Sequence, residues 1–351
     1  MAGERFEKGS KQSCEVQNVQ NSKLRAQITN FAAQNRTPGT GRMKLKTFKL
    51  YLFAVLSMLF WGLSFVWFTI VNKDYGPITI IFLRLIISSA LMSFFLLLAR
   101  LWQPIRKGDL KFFLLLSFSQ PLCYFLGESF GLGMVSPTVA SVIIATIPLF
   151  SPIAAYFTLR ERVTWPVLIG IAFSFAGVLI MLINPDLSLN ASPLGIMLLF
   201  FAVISAVAYS VIIRKISHEY HPVVVITYQN LIGAVYFLPL FLVFDFRQFL
   251  VIKPSSASIM ALVQLSVFAS TLAYIFYIIA IKGIGVIKAN VFTNLIPVFT
   301  GIFALFVLNE LFTASKIVGM LMVMFGVFCS QSKKVSQLFG KNAPEDLGED
   351  G

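Results

Sequence analysis

Ten apolar stretches alternate with short polar segments along the chain, at 50–71, 77–99, 111–132, 137–159, 164–183, 194–213, 222–244, 257–281, 286–308 and 314–331. Each approaches the roughly 20 helical residues needed to cross a bilayer core. None alternates in the in-out pattern of a barrel strand. A helix satisfies its own backbone in lipid, so the pattern predicts an all-α integral membrane protein with ten transmembrane helices. Residues 1–42 are rich in Gln, Asn, Ser, Lys and Arg, without apolar periodicity or a cleavable leader pattern. They are expected to form a disordered cytoplasmic tail, with Met43 ahead of Lys44, Lys46 and Lys49 reading as a second conventional start. Residues 332–351 begin basic, end acidic and are expected to form another such tail.

Part of this pattern occurs twice. Ala140–Val178 and Ala289–Val327 align without a gap at a constant shift of 149. Ile147, Pro148, Phe150, Glu161, Thr164, Gly170 and Gly177 recur as Ile296, Pro297, Phe299, Glu310, Thr313, Gly319 and Gly326. Apolar composition alone does not align Pro, Glu and two Gly at once. The match continues more weakly upstream, where Trp61 corresponds to Tyr209, Pro77 to Pro222 and Arg84 to Gln229. Two halves are therefore expected, residues 50–183 and 194–331. Paired halves with interrupted helices point to a transporter and its site.

Composition agrees with the bilayer. At 57% hydrophobic and 12% charged residues, no soluble fold of this length hides so much apolar surface. The net charge of +13 is spread over loops and not gathered into a phosphate-binding face, which argues against nucleic acid. With the N-terminus inside, 17 Lys and Arg from residue 42 onward fall on the cytoplasmic side and only Lys73, Arg247, Lys253 and Lys316 outside. The bias predicts a multi-pass protein of the cell (cytoplasmic or inner) membrane with both termini cytoplasmic. Five helices per half is an odd number, so the second repeat runs inverted relative to the first. Cys14, Cys123 and Cys329 show no metal-ligand spacing, and no metal or cofactor is expected.

Trp61-Gly62, Arg84 within Phe82-Leu83-Arg84-Leu85, and the twice-used block from Pro148 to Glu161 to Gly177 resemble the EamA-type permeases of the drug/metabolite transporter superfamily. The resemblance covers roughly residues 50–331. It implies two inverted EamA repeats around a central cavity, with export or exchange of small metabolites such as amino acids, nucleobases, aromatic compounds or drugs.

Few charges are left for chemistry. Arg84 alone among the 28 Lys and Arg, and Glu128 among the acidic residues, fall inside a span away from a loop. A charge there costs at least about 2.5–3.5 kcal/mol and must face a cavity or a partner. The two share a depth, so they either neutralise each other and lock the second and third spans, or contact substrate, with Glu128 carrying a coupling proton. Gln120, Tyr124 and Glu128 at i, i+4 and i+8 form a polar stripe. Asn290 and Asn294 on the ninth span correspond to Ser141 and Ala145 on the fourth; they serve helix–helix hydrogen bonds or the solute. Trp61 and Tyr209 are candidates for stacking on a planar solute, against core packing or interface anchoring. Pro148 and Pro297 read as paired hinges, and the Gly170/Gly319 and Gly177/Gly326 pairs as sites of close helix packing.

The reading that follows is a secondary transporter, permease or exporter, of a small-molecule solute, working by alternating access as a monomer or homodimer in the bilayer. No GxxxxGK[ST] motif is present, so a gradient or exchange would drive it. A flippase for a lipid or lipid-linked carrier uses the same architecture with a lateral opening. A membrane-embedded enzyme would need clustered catalytic groups, whereas His218 and His221 stand in one loop beside Glu219.

Overall fold

The computed structural model describes residues 40–150, 153–154, 165–182, 191–213, 219–284, 289, 292–311 and 313–331, without the side chains of 40–47, 167, 330 and 331. Glu161, Asn290, His218, the residues of 1–39 and those beyond 331 lie outside this set. The chain divides into a unit of residues 1–49 and a unit of residues 50–351 that carries the fold.

Every regular element among the described residues is helical. In chain order the apolar helices are α1 (Phe48–Val71), α2 (Pro77–Leu98), α3 (Leu110–Leu132), α4 (Pro137–Phe150), α5 (Leu168–Leu182), α6 (Pro193–Ile213), α7 (Pro222–Val251), α8 (Ser256–Ile284), α9 (Phe292–Leu308) and α10 (Ala314–Cys329). All but α4, α5, α9 and α10 are long and apolar enough to cross a membrane; the expected spans of α4 and α9 run partly outside the described residues. Pro77, Pro137, Pro193 and Pro222 open their helices, where a missing N–H leaves no bond unmade. Large apolar side chains such as Phe94, Leu98, Val243 and Phe306 stay exposed, as a lipid-facing surface requires.

The buried core draws on all ten helices, among them Met58, Ile80, Phe125, Val139, Val178, Leu199, Phe237, Leu265, Ile296 and Val323. The most extensive helix pair is α5 with α10. A Cβ on Gly177 would strike the Gly319 carbonyl, and one on Gly326 would strike that of Gly170. Ser174 Oγ donates to Val323 O between them at 3.2 Å. Residue numbers fall along α5 as they rise along α10, so the pair is antiparallel. The shift of 149 exchanges Gly177–Gly319 with Gly326–Gly170 and maps Ser174 onto Val323. The contact is thus symmetric about a local two-fold axis across the helices. The glycines allow the close approach, because an added methyl would meet backbone.

Two pairs of irregularities also fall at corresponding places. A wide π-type turn occupies Phe118–Cys123 in α3 and Leu265–Leu272 in α8. Likewise α4 is interrupted at Ala145–Thr146 ahead of Pro148, and α9 begins with a tight turn at Phe292–Asn294 ahead of Pro297. A proline cannot donate to the carbonyl four residues back, so regular winding fails there. The turn in α3 corrects the stripe expected from Gln120, Tyr124 and Glu128. Gln120 has extended backbone (φ −147°, ψ 119°) beside Pro121, so it leaves the regular spacing and only Tyr124 and Glu128 remain one turn apart.

Candidate functional site

The middle of α2 carries Arg84, 6% exposed. Its Nε donates to Ser270 Oγ at 2.9 Å, and its guanidinium lies over the Phe125 ring at 4.3 Å. Ser270 belongs to the wide turn of α8, which is anchored to α2 and α7: Ser88 Oγ donates to Ser270 O (2.8 Å), and Asn230 Nδ2 to Ser88 Oγ (3.1 Å). Thr271 Oγ1 donates to Ser266 O at 3.0 Å, five residues back, taking up a carbonyl that the wide turn would strand.

Across from Arg84, Tyr124 donates its hydroxyl to Glu128 Oε1 at 2.8 Å. Arg84 and Glu128 interact electrostatically. They form no ion pair within 4.0 Å, so the direct bridge that their shared depth allowed is not made. Instead Ser270 takes the Arg84 Nε, Phe125 covers a face of its guanidinium, and Tyr124 takes one Glu128 oxygen.

One turn beyond Ser270 on α8, Tyr274 meets the Trp61 ring edge-on with centroids 5.2 Å apart, and Tyr277 does so at 5.1 Å. Trp61 Nε1 donates to Ala269 O at 3.2 Å, so its indole is fixed inside the bundle and not at a bilayer interface. Tyr209 on α6 interacts with Tyr274, and Tyr274 with both Arg84 and Glu128. Trp61, Glu128, Tyr209, Tyr274 and Tyr277 share a property: each keeps accessible surface, although the tyrosines and Glu128 are enclosed by protein. Side chains of this kind line an internal cavity. The structure thus brings together Trp61, Arg84, Tyr124, Glu128 and Tyr209, from both halves of the chain.

Gln229 is buried on α7 with Oε1 unpartnered among the described residues, and Asn294 on α9 likewise with Oδ1. Asn294 also borders an apolar groove of about 380 Å³ between α9 and α10, lined by Phe292, Leu295, Met324, Phe325 and Phe328. Ser270, Tyr274 and Tyr277 were not foreseen from the sequence. Their signal was a second polar stripe, Ser266, Ser270 and Tyr274 at intervals of four, on the helix that repeats α3.

One end of the bundle is held by carboxylates that cap helices of other elements. Asn309, left-handed at φ 53°, ends α9 and turns the chain back, with Glu310 N donating to Ala304 O at 3.0 Å. Glu310 Oε2 then accepts from Thr138 Oγ1 (3.0 Å) at the start of α4, and Oε1 from Lys316 Nζ (2.9 Å). Asp245 Oδ2 accepts from Thr79 N (2.9 Å) and Oγ1 (2.7 Å) at the start of α2. Asp74 Oδ2 accepts from Ser255 N and Oγ, each at 2.8 Å; bonds from Ser258 and Ser255 hold its carboxyl below the usual range. Toward the other end, Arg106 pairs with Glu219, and Lys282 Nζ lies 2.7 Å from His221 Nε2.

Residues 48–183 and 193–331 each match the model of the EamA-like transporter family. An uncharacterized transporter of Archaeoglobus fulgidus is 25% identical, over 82% of this chain and 98% of its own. The uncharacterized transporter YcxC of Bacillus subtilis is 26% identical over 79% and 91%, and the WAT1-related protein At3g02690, chloroplastic, of Arabidopsis thaliana is 26% identical over 84% and 72%. A crystal structure superposes with a TM-score of 0.61 at 16% identity, over 82% of this chain and 98% of that one, which speaks to the fold alone.

Proposed function

Because the chain belongs to the EamA-like transporter family, we propose that it is a secondary transporter moving a small metabolite or drug-like solute by alternating access, driven by a gradient or by exchange. The observation that carries the reading is the buried Arg84 with Glu128 at a cavity built from α1, α2, α3, α6 and α8, hence from both repeats. A membrane protein keeps such charges at depth where they meet a solute or a coupling ion. Ten helices in two inverted repeats, both termini cytoplasmic, are the proposed architecture; the antiparallel, two-fold contact of α5 with α10 supports it. In this orientation the end shut by Glu310, Asp245 and Asp74 is the outer one.

Within the cycle, Trp61, Tyr209 and Tyr124 line the solute site, Arg84 and Glu128 supply its charge, and Gln120, Gln229, Asn290 and Asn294 add polar contacts. Pro148 and Pro297 are hinges at which α4 and α9 change angle. The reading is tested by reconstituting purified protein into liposomes and measuring counterflow of labelled metabolites. Glu128→Gln should abolish transport while insertion is intact. Transport at the normal rate and with the normal pH profile would refute the coupling role.

The apolar groove between α9 and α10, with buried Asn294 at its edge, favours a second reading, a flippase for a lipid or lipid-linked carrier. In the same liposomes, scrambling of a labelled lipid without counterflow of any soluble solute would select it.

A further inference from the structure

Arg84 is held at one face and at one nitrogen. Phe125 covers a face of its guanidinium and Ser270 takes its Nε. Guanidinium carries five N–H donors, and four of them belong to the two terminal nitrogens. Among the described residues these four have no hydrogen-bond acceptor, and the terminal nitrogens are not among the sealed, unpartnered polar atoms, so their edge keeps access to the cavity. The nearby counter-charge, Glu128, does not come within ion-pair distance and already accepts from Tyr124. What is left is a buried cationic fork with a free edge. That fork matches a carboxylate bidentately.

The neighbourhood fixes the rest of the ligand. Ser270 leads one turn along α8 to Tyr274, which packs edge-on against Trp61, so the wall beside the fork is aromatic. A flat apolar body fits there. With Glu128 carrying the coupling proton, a monoanion balances the arginine, whereas a dianion leaves excess negative charge at depth. We propose that the solute of this site is an organic monocarboxylate with an aromatic or similarly flat body, its carboxylate seated on the terminal nitrogens of Arg84. This rests on the cavity being the solute site of a transporter, and names its ligand class.

Four probes of one shape decide the matter: benzoate, benzamide, benzylamine and phenyl phosphate, titrated into the purified full-length protein while tryptophan fluorescence and melting temperature are followed. Benzoate should bind best, and Arg84→Gln should weaken it about ten- to hundredfold, the usual effect of losing a charged hydrogen-bond pair. Arg84→Lys should recover part of the loss, since it keeps the charge without the fork. Should Arg84→Gln fail to fold, Ser270→Ala serves instead and should weaken benzoate while leaving benzamide unchanged. Equal binding of benzamide, preference for benzylamine or phenyl phosphate, or no benzoate binding up to about 10 mM, beyond the weak end of specific affinity, each overturns the proposal. Counterflow of another labelled solute in liposomes would, in that event, leave the transporter reading standing; its absence would remove both.

Discussion

Arg84 illustrates how a single side chain can be legible in sequence while its partner is not. Its position as the lone basic residue within a span was read directly from the charge count. A pairing with Glu128 was one of the two readings that shared depth allowed, yet depth fixes one coordinate of three. The contact went instead to Ser270, a residue whose chemistry is unremarked in any list of charges, because serine is common in apolar helices. A different residue gives a prediction outside the bilayer. Burial, and then the Lys282 ammonium 2.7 Å away, hold the His221 imidazole below its ordinary value of 6.5. The folded state therefore keeps His221 neutral while the unfolded chain takes up a proton. Its contribution to stability is fully present above pH 6.5 and is lost as the pH falls through the folded value. His221→Gln, which does not titrate, should flatten the dependence of melting temperature on pH between about 7.5 and about 5.5. An unchanged slope in that window would remove the histidine from the account.

At the scale of elements, helix existence was legible and helix regularity was not. The ends of α2, α4, α6 and α7 were marked by Pro77, Pro137, Pro193 and Pro222, whose effect is local. The wide turn in α8 left no such mark, since it depends on how the bundle satisfies a displaced carbonyl, as Thr271 does for Ser266, whereas the turn in α3 holds Pro121, which breaks regular winding there. That is why the stripe of Gln120, Tyr124 and Glu128 survives only in its last two members. The glycines were read correctly as packing sites because a missing side chain in an apolar span has few other uses; which glycine meets which required the antiparallel register. Gly319→Val should push α10 off α5 and destabilise the protein by about 1–3 kcal/mol, as overpacking does. Gly108→Ala, with nothing within 4 Å of the added carbon, should change nothing. Thermal unfolding of both variants in detergent checks the contrast, and equal melting temperatures would refute it.

At the scale of the whole molecule, the duplicated block and the carboxylate latch belong to one argument. Glu310, within the second block, closes one end of the bundle on Thr138, just ahead of the first, with Lys316 holding its other oxygen. The repeat places Glu161 at the corresponding position of the first block. In an inverted pair of repeats the two glutamates sit at opposite faces, so each is expected to stabilise one of the two closed states. A bistable molecule shifts its populations only by the difference in interaction between the states. Glu310→Gln keeps the shape but removes the charge, weakening the bond to Lys316 and, with it, the state in which the outer end is shut. It should raise labelling of a cysteine placed at Tyr274 by a membrane-impermeant reagent applied from outside, and lower labelling from inside. Glu161→Gln should do the reverse, and the double variant should return toward the wild-type balance, because both closed states are weakened together. A shift in the same direction for both single variants would mean that the repeated glutamates only brace the scaffold, leaving the hinges proposed at Pro148 and Pro297 without a latch to act against.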